Sequence, residues 1–301
     1  MTDLPWPELE RLRARFLAGE PTGRPYWESR EQIAAYDATF GERIGWKWDA
    51  VLAELAEAGW TPPAGALLDF GCGSGVAGRR VLDAFGAAPF TALCLADRSP
   101  LATEFAAEAA AARWPGLAIR RGRPAGGPFT LVVSHVLGEL DGRGLDTLLD
   151  TAARAAAVLW VEPGARDVSR RLASARADLV PPFSPVAPCP HDGPCPMLAP
   201  ENERHWCHFL AKPPPEVLID SGWVKFAKRA GIDLRRLPYS FLALDRQPAA
   251  RPPGAARRIG EPRVGKAVAR LFLCDREGLR ETEVTKRADP ELFRALRAGR
   301  R

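Results

Sequence analysis

Leu67-Leu68-Asp69-Phe70-Gly71-Cys72-Gly73-Ser74-Gly75 sets an acid in an apolar run, follows it with three glycines at alternate positions, and leads directly into Val76-Ala77-Gly78-Arg79-Arg80-Val81-Leu82. The first part reads as a buried strand and the last as a helix, so the glycines form a tight strand-to-helix turn. Downstream the same alternation continues. Strands are predicted at 66–70, 91–97, 117–121, 129–136 and 157–162, with helices at 76–85, 100–113, 145–156 and 165–179 between them. Strands separated by helices of this length require right-handed crossovers onto both faces of a parallel sheet. The fold class is therefore α/β, with a doubly wound, Rossmann-like sheet. Later strands at 237–244, 267–274 and 279–286 have no long helix between them, and are expected to add an antiparallel edge to that sheet.

Glycines let a ligand approach the backbone, and a helix N-terminus offers free N–H groups to an anionic or polar moiety. Asp97, twenty-two residues beyond Gly75, closes the next strand, where a carboxylate can accept both hydroxyls of a ribose. Gly73, Gly75 and Gly78 also fit the dinucleotide pattern G-x-G-x-x-G, so NAD competes. Asp69 followed by Gly71, Gly73 and Gly75 resembles the first motif of S-adenosylmethionine-dependent methyltransferases. That spelling favours S-adenosylmethionine, with Asp69, Gly71, Gly73, Gly75 and Asp97 as its binding residues.

The methyl-acceptor side carries less. The fourth strand ends in Ser134-His135-Val136-Leu137-Gly138-Glu139-Leu140, where amino-directed methyltransferases have an Asp or Asn, two prolines and an aromatic residue. His135, at a strand's carboxyl end, is the one candidate for a catalytic base, with closure of the pocket as its plainer role. Glu162-Pro163-Gly164 is expected to shape the pocket floor.

A chain of 301 residues with 46% hydrophobic and 26% charged residues can bury a large core, which excludes collagen-like, coiled-coil and wholly disordered classes. No apolar run of membrane-spanning length occurs and the start, MTDLPWPELE, lacks a signal-like pattern. A cytoplasmic protein without membrane contact is expected. The net charge of +5 is uneven: residues 251–301 hold 14 Lys and Arg against 7 Asp and Glu. Any polyanion is expected to meet this end.

Six cysteines are too few for a disulfide scaffold, but Cys189, Cys195 and Cys207 fall within a proline-rich stretch that also holds His191, His205 and His208. A metal would neutralise converging thiolates and order such a segment. The spacings do not fit zinc fingers or ribbons, and Cys-Pro at Cys189 and Cys195 is similar to iron–sulfur loops, which take four thiolates. Cys274 is the available fourth thiol, because Cys72 lies in the glycine loop and Cys94 in a strand. A mixed Cys/His zinc site and unliganded cysteines remain alternatives at this point.

Taken in order, LLDFGCGSG, SHVLGEL, VEPG, APCPHDGPCP, WCHF, YSFLAL and RRIGEPRVGKAV ahead of Cys274 resemble the methyltransferase-like small-subunit ribosome assembly family, known as a mitochondrial ribosome-associated protein with bacterial relatives. The resemblance spans roughly residues 30–287. It implies a methyltransferase fold, a [4Fe–4S] cluster on Cys189, Cys195, Cys207 and Cys274, and a partnership with small-subunit ribosomal RNA rather than DNA. It leaves open whether a methyl group is transferred. Arg257, Arg258, Arg263, Lys266, Lys286 and Arg287 become candidate phosphate contacts. The expected layout is an N-terminal helical cap (1–60), an S-adenosylmethionine-binding core (61–180), a cluster-binding insertion (181–215), a completing segment with the fourth cysteine (216–287) and a basic tail (288–301).

Overall fold

The computed structural model describes residues 4–18, 27–248, 251–252 and 254–299. They form two compact units, one of residues 1–162 with 211–237 and the other of residues 163–210 with 238–301.

In the first unit β1 (Gly65–Phe70), β2 (Phe90–Ala96), β3 (Ile119–Arg121), β4 (Phe129–Ser134) and β5 (Ala157–Pro163) lie in the order β3-β2-β1-β4-β5. Every pairing among them is parallel. The central strands read as unbroken apolar runs because both faces are covered: Leu67, Leu68, Leu93, Leu95, Leu131, Val132 and Val158 are essentially inaccessible. The connecting helices are α4 (Val76–Phe85), α5 (Pro100–Arg113) and α6 (Gly142–Arg154). Ser99 caps α5 by accepting from the Ala102 N–H, with Pro100 at the first helical position, and Asp141 caps α6 through the Gly144 N–H. The order reverses direction at β1, which opens a crevice at the carboxyl ends of β1, β2 and β4.

Three N-terminal helices precede the sheet: α1 (Trp6–Ala18), α2 (Arg30–Tyr36) and α3 (Glu42–Glu57), the last two joined by a wider turn at Asp37–Gly41. Aromatic side chains pack them against α8 (Ser221–Ala230). Trp6 stacks on Phe226 with centroids 5.6 Å apart, Trp46 meets Trp223 at 4.8 Å, and Arg229 lies over the Trp6 ring while pairing with Glu10.

In the second unit α7 (Arg166–Leu179) is followed by the proline-rich segment, which is not featureless: it includes β6 (Ser184–Ala187) and β7 (Phe209–Ala211). β8 (Leu237–Asp245) runs antiparallel to β6 and also pairs with β7. The remaining late strands correct the sequence expectation. β10 (Val268–Asp275) and β11 (Gly278–Thr285) do not join the large sheet; with β9 (Arg257–Val264) they form a separate three-stranded antiparallel meander. The meander has a core of its own because α9 (Pro290–Arg297) lays Phe293 and Leu296 on Ala269, Leu271 and Val284. The last residues, read in the sequence only as basic, thus include an amphipathic helix.

Candidate functional site

Gly71, Gly73 and Gly75 adopt φ of 68°, 51° and 79°, values that residues with a Cβ rarely take. The turn is pinned by the Gly71 and Cys72 N–H groups donating to the Ala96 carbonyl and by Gly75 N–H donating to the Cys72 carbonyl. Asp69 is fully buried; one carboxylate oxygen accepts from Gly78 N–H at 2.9 Å and the other has no hydrogen-bond partner among the described residues. Burial pushes its pKa up to about 7. Gly78 is required there, since a Cβ would fall 2.9 Å from that carboxylate. Asp97 accepts from Gly73 N–H at 2.9 Å and Ser99 N–H at 2.8 Å, which fixes its carboxylate at the lip of the crevice. Burial raises its pKa against those two N–H bonds.

Above the loop lies a cavity of about 890 Å³, lined by Gly71, Gly73, Asp97, His135, Trp27 and Tyr36 among others. Its position at the strand-order reversal is where open α/β sheets take ligands, and its size suits a nucleoside cofactor with room to spare. Two further features suit a polar guest: a Cβ on Gly73 would meet nothing nearer than Trp27 Cζ2 at 4.0 Å, and the buried Ser74 hydroxyl has no hydrogen-bond partner among the described residues.

The acceptor side holds residues that no sequence signal marked. His135 lines the cavity and, among the described residues, is the one non-glycine with positive φ, at 56°. Lys47 Nζ lies 3.0 Å from His135 Nε2, and Ser134 Oγ lies 3.4 Å from His135 Nδ1 while accepting from Trp48 Nε1 at 2.9 Å. Burial, then the neighbouring Arg43, brings Lys47 down to about 7; burial, then Lys47, drives His135 well below the ordinary histidine range. Burial thus favours the neutral imidazole, with Lys47 and Ser134 as its two hydrogen-bonding neighbours. Lys47 sits 88 residues from His135, beyond any spacing pattern. Glu162 does not form the cavity floor. It is fully buried, and one oxygen accepts from the Val136 and Leu137 N–H groups and from Trp160 Nε1, tying down the loop that carries His135.

The four cysteines of the second unit come within one another's electrostatic reach. Burial, then charge on Cys189, Cys195 and Cys274, would push the Cys207 thiol well above its usual range, and Cys274 feels Cys189 and Cys195 likewise. Cys72 and Cys94 lie elsewhere, buried in the glycine turn and in β2. Among the described residues no group of three or more His, Cys, Asp or Glu is disposed to hold a single metal ion. His205 packs on Phe272, and His208 stacks on Trp206 while its Nδ1 lies 3.1 Å from the Trp206 carbonyl oxygen. His191 is buried, and its carbonyl accepts from Arg176.

Strand order, glycine turn and crevice together define a Rossmann-like fold of the S-adenosylmethionine-dependent methyltransferase type. The chain belongs to the mitochondrial small ribosomal subunit Rsm22 family, whose model matches residues 35–300. No curated protein matches it. Among solved structures it is similar to magnesium protoporphyrin IX methyltransferase from Synechocystis with bound S-adenosylmethionine, at 12% identity over 79% of this chain and 97% of that one, with a TM-score of 0.43. A second is a SAM-dependent methyltransferase from Leishmania major, at 11% identity over 77% and 82%, with a TM-score of 0.41. Among the described residues no helix is long and apolar enough to cross a membrane.

Proposed function

We propose that the protein binds S-adenosylmethionine in the crevice of its first unit, carries a [4Fe–4S] cluster on Cys189, Cys195, Cys207 and Cys274, and acts in the cytoplasm on the small ribosomal subunit through its ribosomal RNA, as an RNA-directed methyltransferase. One observation carries the reading: Asp97 is fixed by Gly73 and Ser99 at the lip of a cavity whose glycine floor leaves room for a nucleoside.

In this reading Asp97 accepts the ribose hydroxyls, and the turn and the N-terminus of α4 approach the methionine end. The bound cofactor supplies a methyl group on a sulfonium centre, already activated for transfer. The chain therefore has to exclude water, orient the acceptor and hold its proton. Lys47, brought down to about 7 and bonded to the cavity-lining His135, is suited to take up that proton by way of the imidazole. In the second unit the donor set is four soft thiolates, and the buried Arg176 beside Cys189 makes no carboxylate ion pair among the described residues, an environment suited to a negatively charged centre. Such a cluster would cross-link the proline-rich segment to the meander. On the meander, Lys286 N–H donates to the Ala267 carbonyl, which brings the exposed Lys286 and Arg287 beside Lys266 as a phosphate-facing edge.

A non-catalytic assembly factor is the second reading, favoured by the engagement of the His135 ring with Lys47 and Ser134 and by the missing acceptor motif. Transfer of tritiated methyl from S-adenosylmethionine to small-subunit particles decides. The enzyme labels RNA and Asp97→Ala abolishes the label; persistent absence of label beside normal particle binding leaves the assembly factor. Metal analysis after anoxic purification tests the cluster: about four irons with sulfide support it, and zinc without iron discards it.

A further inference from the structure

Arg176 projects from α7 and is only 3% exposed. Its Nε donates to Cys189 Sγ at 3.2 Å and its Nη2 to the His191 carbonyl at 2.8 Å. Among the described residues no carboxylate pairs with it: Asp192, which feels its charge, is bonded by Arg251 at 2.8 Å. A guanidinium cannot shed its proton at any ordinary pH, so a buried one demands negative charge nearby. A protonated thiol is a weak acceptor and brings no charge, and four bare thiolates would repel one another. Both problems vanish when the sulfurs ligate a centre whose total charge, thiolates included, is negative.

We infer that Arg176 is the internal counter-ion of the four-cysteine cage and that its N–H···S bond to Cys189 sets the reduction potential of the centre held there. The inference rests on the cluster reading above and adds to it a positioning residue outside the ligand set. Iron–sulfur potentials follow net charge and hydrogen bonds to sulfur. Adding an electron makes the centre more negative; a fixed positive charge on a ligand sulfur favours that state and raises the potential. Arg170, on the same helix, supplies the contrast: its Nη1 donates to the carbonyls of Met197, Asn202 and His205, and its charge reaches Cys195 only through space.

The test uses the full chain, purified without oxygen, as wild type, Arg176→Lys, Arg176→Gln, Arg176→Met and Arg170→Met. Iron and sulfide are counted, and the midpoint potential is followed by paramagnetic resonance during dithionite titration. The expected result is a lowered potential in Arg176→Gln and Arg176→Met, a smaller displacement in Arg176→Lys, and in Arg170→Met a smaller displacement than in Arg176→Met, with faster proteolysis near residues 196–205. If Arg176→Met does not fold, Arg176→Gln against Arg176→Lys decides, and equal potentials overturn the inference. Loaded Arg176 variants with wild-type potentials overturn it while leaving the cluster standing. A wild-type protein without iron overturns both.

Discussion

A methyl group added at Gly75 and one added at Gly73 should do opposite things, although the two glycines share a turn. Both adopt positive φ, so alanine at either carries a backbone penalty of ~1–2 kcal/mol. At Gly75 the new Cβ would also lie 2.7 Å from Ala106 Cβ and 3.3 Å from Ala106 Cα in α5, a contact only backbone displacement can relieve. Overpacking of that kind costs about 1–3 kcal/mol more. The total of ~2–5 kcal/mol corresponds to a drop in Tm of roughly 4–20 °C for a unit of this size. At Gly73 the nearest atom to the Cβ is Trp27 Cζ2 at 4.0 Å, so only the backbone penalty applies, but the methyl enters the cavity. Gly73→Ala should therefore lose a few degrees and at least about tenfold in affinity for S-adenosylmethionine, the equivalent of ~1.4 kcal/mol. Gly75→Ala should lose the larger share of stability and, assayed below its Tm, keep most of the affinity. Ala106→Gly in the Gly75→Ala background should restore part of the packing loss, visible as coupling in a double-mutant cycle. Thermal unfolding and calorimetric titration read both quantities; equal stability losses with unchanged binding in both variants would refute the reasoning.

Three buried ionisable groups shape the dependence of stability on pH. Asp69 and Glu162, both pushed up to about 7, keep a proton in the native state that the unfolded chain releases from ~4 upward, so stability falls as pH rises through that window. Lys47, brought down to about 7, does the reverse: the unfolded chain holds its proton up to ~10, and stability recovers as pH rises above 7. Urea unfolding at pH 5, 7 and 9 should find a minimum near 7, with Glu162→Gln flattening the acid side and Lys47→Met the alkaline side; unaltered slopes would count against the burial of these charges. Replacing Lys266, Lys286 and Arg287 together by Glu should weaken binding to small-subunit particles and reduce the salt dependence by about 3 in log–log slope, as followed by sedimentation at several ionic strengths. Cys274→Ser should open residues 180–215 to limited proteolysis, and an unchanged cleavage pattern would argue that the four cysteines share no centre.

What the sequence made legible was local. Helix α4 follows from the glycine turn and α5 from Ser99-Pro100, and both were readable to the residue because capping and turn chemistry sit next to the elements they start. Strand β9 escaped because RRIGEPRV buries only Ile259 fully and takes its order from pairing with β10, a non-local cause. Residues 215–230 hold a single tight turn at Pro215–Leu218 and then α8, because Asp220 caps a new start. At the site, the glycines and Asp97 announce themselves by spacing. Lys47 against His135 and Arg176 against Cys189 do not, since each pair exists only once distant elements pack.

The central claim is that the crevice above Gly71, Gly73 and Gly75 takes S-adenosylmethionine. Isothermal titration of the purified chain tests it most directly. The account predicts saturable one-site binding, lost in Asp97→Ala and weakened at least about tenfold in Gly73→Ala, with no heat from NAD under the same conditions. Absence of binding, or a preference for NAD, would contradict it.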